Sequence, residues 1–179
     1  MKKIIKYVII DILRNKIVLA YTVFLLLISI TIFNLENNSA KGLLSLLNII
    51  LIIVPLVSML FSAIYVYNSS EFLELLVSQP LKRRTIWLSL FFGLSASMAF
   101  AFFIGAGIPI LLYEATETGF MMLGTGLLLS VIFVAIAMLA AVMARDKAKG
   151  IGVVILLWLF LMGLLYLSCF RLLIIPWKK

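Results

Sequence analysis

The chain has 179 residues, 65% of them hydrophobic and 12% charged, with a formal net charge of +8. A soluble domain is roughly half apolar and about a quarter charged, so this composition excludes an ordinary soluble protein and describes an all-α, polytopic membrane helical bundle. With no His and only Cys169, it also excludes Cys/His metal sites, disulfides within the chain and His-based catalysis.

The whole chain reads as one transmembrane domain. Residues 1–16 carry Lys2, Lys3, Lys6, Arg14 and Lys16, while Ile5, Val8, Ile9, Ile12 and Leu13 recur at helical spacing. That pattern predicts a basic amphipathic helix in the membrane surface, leading into the first span. No small-residue cleavage site follows residues 17–33, so the segment is not expected to be a signal peptide. The first span is expected at 17–33 and the second at 42–67, with Pro55 kinking the latter. Between them, Asn37, Asn38 and Ser39 form a sequon that matters only in a glycosylating host.

The next polar stretch has a pattern of its own. Asn68, with Glu71 three residues on, is a candidate N-cap, and Pro80 closes the segment, so a short helix is expected over 69–79. Glu71, Glu74 and Ser78 fall on one narrow stripe, and Phe72, Leu73, Leu75, Leu76 and Val77 cover most of the remainder. Such a helix presses against lipid headgroups, against the rest of the chain or against a partner; a purely interfacial anchor is the alternative.

Three further spans complete the pattern, at 86–113, 119–144 and 151–170. Gly93, Ser97, Ala101 and Gly105 repeat every fourth residue in the third span, and Ala137, Ala140, Ala141 and Ala144 make a similar face in the fourth. Small residues in such rows let helix backbones approach closely. Gly107 and Pro109 are expected to loosen the far end of the third span. Basic residues gather before the first span, at Lys82, Arg83 and Arg84, and at Arg145, Lys147 and Lys149, while Glu36, Glu114 and Glu117 lie on the other side. Lys and Arg are retained on the cytoplasmic side, so the N-terminus and both basic loops are expected there. Arg171, Lys178 and Lys179 break that rule if five spans are the full set.

Chemistry is sparse. No G-x-x-x-x-G-K-[ST] run is present, so ATP hydrolysis is expected on a separate polypeptide. Gly105-Ala106-Gly107 and Gly124-Thr125-Gly126 sit in apolar helical runs and read as packing glycines. Glu114 and Glu117 lack a His or metal partner and are expected to be solvated. Asn48 and the span serines are expected to bond between helices or to line a pathway. The absence of charge within the spans argues against a carrier driven through buried ionisable groups. The Met residues are scattered and read as apolar filling. No cofactor is expected. Nor is nucleic acid, since Lys and Arg form short clusters beside apolar runs instead of one basic face.

The run Ser70-Glu71-Phe72-Leu73-Glu74-Leu75-Leu76-Val77-Ser78-Gln79-Pro80-Leu81-Lys82-Arg83-Arg84, followed by Leu90-Phe91-Phe92-Gly93, resembles the membrane subunits of ABC-2-type transporters, and most of all the Nos-type permeases of copper-enzyme maturation. The match rests on Glu74, Leu75, Leu76, Ser78, Pro80 and the basic residues; Leu90 stands where that family usually has Lys. The resemblance implies a bacterial inner-membrane permease that works with a separate cytoplasmic ABC ATPase subunit and pairs as a homodimer among membrane lipids. It makes 69–79 a coupling helix, with the ATPase contacted by Glu71, Phe72, Glu74, Leu75, Ser78 and Gln79 and supported by Lys82, Arg83 and Arg84. The family has six spans, so a five-span chain carries the further expectation of a truncated permease, and a non-transporting membrane anchor or assembly factor is the alternative.

Overall fold

The computed structural model describes residues 9–36, 39–69, 83–113, 115–144 and 146–174, with side chains throughout except at 39, 40 and 165–174. Among the described residues there is no strand. Among these same residues five helices are long and apolar enough to cross a membrane, so the protein is a multi-pass membrane protein built as an all-α bundle.

The first span is the helix Lys16–Leu35, and Asn15 caps it by accepting a hydrogen bond at Oδ1 from the Ile17 N–H at 3.0 Å. Asn15 therefore separates the N-terminal segment from the span, and Lys16 opens the span instead of ending a surface helix. Residues 1–8, which carry Lys2, Lys3, Ile5, Lys6 and Val8 of the expected amphipathic pattern, lie outside the described residues. Residues 9–13 are helical, but Ile12 is fully buried in the main core. The tip of this segment is thus pinned into the bundle in addition to any contact it makes with the membrane surface.

The second span, Ser39–Asn68, runs as one continuous helix through Pro55. The fourth, Glu117–Met143, lies beside it along most of its length, and these two form the centre of the bundle. The first and third spans flank one side. The fifth, Lys147–Ile174, takes the other, where Val154, Leu157, Trp158 and Leu161 meet Met59, Ala63, Phe133, Ala137 and Ala140. In lipid, bringing apolar helices together gains little from hydrophobic burial, so close packing and hydrogen bonds must hold such a bundle. The small-residue face Ala137, Ala140 and Ala141 of the fourth span is buried accordingly. Over Lys147–Leu164 only 11% of the fifth span's apolar window is buried within the chain, against 56% for the second span, so this described part of the fifth span packs at the periphery.

The third span is not a single α-helix. It is α-helical over Arg83–Phe102, passes through a π turn at Phe103–Gly107 and resumes as α-helix at Ile108–Tyr113. Pro109 has no N–H to donate, and in a regular α-helix its ring crowds the carbonyl four residues back. The wider turn relieves this, and the Ile108 N–H reaches back to the Phe103 carbonyl. Exposed residues on this span follow helical steps at Phe92, Ala96, Phe100 and Phe103, then resume at Ile108 and Leu112. The long step from Phe103 to Ile108 absorbs the extra residue and keeps one face exposed.

The π turn also brings Gly105 against the first span. A Cβ at Gly105 would lie 2.8 Å from Leu25 Cβ and 3.0 Å from the Thr22 carbonyl oxygen. Because one of those atoms is backbone, Gly105→Ala should push the first and third spans apart and lower stability by about 1–2 kcal/mol, within the usual range for overpacking. Thermal unfolding in detergent reads this against Gly163→Ala, where a new Cβ meets nothing within 4 Å. At the end of the bundle opposite Arg83 and Lys147, Phe33 stacks on Tyr113 with ring centroids 5.1 Å apart.

Candidate functional site

Of the residues expected to contact an ATPase, Glu71, Phe72, Glu74, Leu75, Ser78, Gln79 and Lys82 lie outside the described residues, as does the helix expected over 69–79 apart from Ser69. Arg83 and Arg84 are described: both are exposed and open the third-span helix. The structure therefore gives the frame from which that stretch departs at Ser69 and to which it returns at Arg83.

The departing end is held by hydrogen bonds on several sides. Ser69 N–H donates to the Tyr65 carbonyl at 2.9 Å, continuing the helical pattern to the edge of the described segment. The Tyr65 hydroxyl donates to Asp11 Oδ2 at 3.0 Å, joining the second span to the N-terminal segment. The Tyr67 hydroxyl lies 3.0 Å from the Ala144 carbonyl oxygen and 3.2 Å from that of Ala141. These carbonyls belong to the last turn and cap of the fourth-span helix, where intrahelical partners run out. Asn68 is the last residue of the second-span helix, and its Oδ1 accepts from Lys147 Nζ at 2.7 Å. The expected N-cap residue thus ends the preceding helix, and its side-chain oxygen is engaged by the opening residue of the fifth span.

Gly150 completes the arrangement. It is buried, and a Cβ there would fall 1.7 Å from the Tyr67 hydroxyl oxygen and 2.4 Å from ring atom Cζ. Only a hydrogen atom fits beneath that ring. Beside it Lys149 pairs with Asp146 at 3.0 Å, with both side chains largely exposed, so this ion pair adds little to stability. Arg14, Lys16, Arg83, Arg84, Lys147 and Lys149 are all exposed at this end of the bundle, giving it a basic surface.

Sequence reasoning did not single out Asp11, Tyr65 or Tyr67. A Tyr-x-Tyr-Asn run at the end of a span reads as an aromatic belt at the lipid headgroups, and the hydroxyl partners lie 54 to 77 residues away along the chain.

The remaining candidates are placed as follows. Glu114 lies outside the described residues; Glu117 is exposed in the first turn of the fourth-span helix, where its charge favours the helix dipole. Asn37 and Asn38 of the sequon are outside the described residues. Asn48 is exposed, not packed between helices. Ser97 and Ser130 donate to carbonyls of their own helices, at 2.8 and 3.0 Å. Ser29, Ser58, Ser62, Ser89 and Ser95 are buried with no side-chain partner among the described residues. Gly105, Gly107 and Gly126 pack closely as expected, whereas Gly124 has open space around it, because two residues along a helix is more than half a turn away from the Gly126 contact. Among the described residues no group of His, Cys, Asp and Glu is placed to hold a metal.

No protein-family model and no curated protein matches the chain.

Proposed function

We propose that this protein is the membrane-spanning permease subunit of an ABC-2-type exporter, driven by a separate cytoplasmic ATPase and working as a homodimer in a bacterial inner membrane. The observation that carries the reading is the run from Ser70 to Arg84, which joins two spans and combines an acidic stripe, a wide apolar surface, a Ser-x-Pro end and a basic close. An amphipathic helix of this kind fits a groove on a partner, with its apolar residues as anchors and its charges setting register. Glu71 and Glu74 give this run a negative stripe beside otherwise basic residues.

In this reading ATP binding closes the ATPase dimer, the coupling helix of each protomer is displaced, and the second and third spans that flank it change angle. The orientation follows from the Lys and Arg distribution, with the N-terminus and the basic loops in the cytoplasm. A role in metalloenzyme maturation accords with the Nos-type resemblance.

The test is a pull-down of detergent-solubilised protein with its co-expressed ATPase, comparing wild type with Glu74→Arg. The ATPase is expected to be retained by the wild type and lost, by about tenfold or more, from the charge-reversed variant, since a desolvated charge pair turned into repulsion costs a few kcal/mol. No ATPase on the wild type, or equal retention by both, removes the docking reading.

A further inference from the structure

Resting on the ATPase-docking reading, a more specific role emerges for the last turn of the second span. Tyr65 and Tyr67 are two positions apart, about 200° around the helix, so their hydroxyls leave on nearly opposite sides. One reaches Asp11 in the N-terminal segment; the other reaches the Ala141 and Ala144 carbonyls at the end of the fourth span. Asn68 adds the bond from Lys147 on the fifth span. Three separate parts of the chain are thus gripped by four consecutive residues, immediately before the chain leaves toward the proposed docking helix.

We propose that Tyr67 is a positioning residue that clasps the turn between the fourth and fifth spans to the end of the second, so that a displacement delivered at Ser69 moves those three spans together. The geometry supports a clasp over ordinary packing in two ways. The hydroxyl serves carbonyls that have exhausted their own helix, so its loss leaves acceptors at a helix end without that partner. And the ring lies directly over Gly150, where no side chain fits, so the turn cannot move toward the second span without displacing the ring. Tyr65 makes the matching contact on the other side, through Asp11, while Ile12 beside it is sunk in the core. Over Lys147–Leu164 only 11% of the fifth span's apolar window is buried, so the bonds at its basic end add to a small packing contact there.

The experiment is hydrogen–deuterium exchange on the purified full chain in detergent, read on peptides covering 144–150, for wild type, Tyr67→Phe and Tyr65→Phe. Tyr67→Phe should exchange several-fold faster there. Tyr65→Phe, which loses a hydroxyl from the same turn on the opposite side, should leave those peptides unchanged. The same peptides are then followed in the complex with the ATPase, with and without a non-hydrolysable ATP analogue. Exchange should respond to nucleotide in the wild type and lose that response in Tyr67→Phe, with equal ATPase retained by both. Unchanged exchange in Tyr67→Phe alone overturns the clasp whatever the partner does. An equal nucleotide response in both proteins overturns its role in transmission while leaving docking intact. Failure of the ATPase to bind wild type removes the docking reading, and the clasp is then decided by the partner-free comparison.

Discussion

Gly126→Ala should destabilise the protein by about 1–3 kcal/mol, the usual range for forcing atoms into a packed interior. In an ordinary helical position the same change is expected to stabilise by roughly 0.5–1 kcal/mol, because Ala loses less conformational freedom than Gly. The sign reverses here because a Cβ at Gly126 would lie 2.2 Å from Phe102 Cζ and 2.7 Å from Cε1. A ring tip can often swing aside, but Phe102 is fully buried in the main core. The third and fourth spans must therefore separate, or the ring must displace its neighbours. The Ser130 hydroxyl bond to the Gly126 carbonyl, at 3.0 Å, ties the same site to the next turn. Two controls isolate the cause. Gly124→Ala in the same helix meets nothing within 4 Å and should be neutral or slightly stabilising. Phe102→Leu, which removes the ring edge, should make Gly126→Ala far less costly, with a coupling of about 1–3 kcal/mol in a double-mutant cycle of thermal or denaturant unfolding. Additive costs would mean that the ring and the glycine do not share the contact.

The contrast between Gly124 and Gly126 also shows what composition and spacing can and cannot reveal in a membrane chain. The number of spans and their approximate limits follow from apolar length alone, because any backbone within lipid must satisfy its polar groups internally as helix. Rows of small residues at helical spacing were legible for a similar reason: Gly93, Ser97, Ala101 and Gly105 repeat on one face and are all buried. A pair of glycines two positions apart carries no such information, since lipid and protein neighbours are equally apolar and the helix face of each is not written in polarity. The π turn at Phe103–Gly107 was illegible on the same ground. In a soluble helix an extra residue would show as a slip in the polar face; here both faces are apolar, and only Gly107 and Pro109 hinted at irregularity. Ile12 shows a different limit of periodicity. Its spacing with Ile9 and Leu13 fits an interfacial helix, yet one residue of that face is anchored in the core, a tertiary contact that periodicity alone does not distinguish from a membrane contact.

The frame around the proposed docking stretch was the least legible part, because its bonds connect residues far apart in sequence. Lys147 counted as part of a basic loop and Asn68 as a helix cap, each a reading from local signals alone. Together they form one bond between the end of the second span and the start of the fifth. Local signals assign each residue a role in its own element. The structure adds that the ends of several elements are joined by hydrogen bonds at one place.

Gly150→Ala tests that junction from the side opposite to Tyr67. A Cβ there would coincide with the Tyr67 hydroxyl, at 1.7 Å. The ring is half-buried and stands at the edge of the bundle, so it should yield by leaving its site, where Phe102 cannot. The expected cost is therefore the loss of the clasp, about 1–2 kcal/mol for a hydrogen bond and the carbonyls left behind it, and not a collapse of the fold. Since both substitutions open the same contact, Tyr67→Ala in the Gly150→Ala background should cost much less than in the wild type. Gly152→Ala, on the same helix with nothing within 4 Å, should leave stability unchanged or slightly raised. Unfolding in detergent across the four combinations of Tyr67 and Gly150 reads the coupling directly. Independent, additive costs would separate the ring from the glycine and leave the Asn68–Lys147 bond as the connection between the second and fifth spans at this end; strong coupling places Tyr67, Gly150 and the end of the fourth span in one unit.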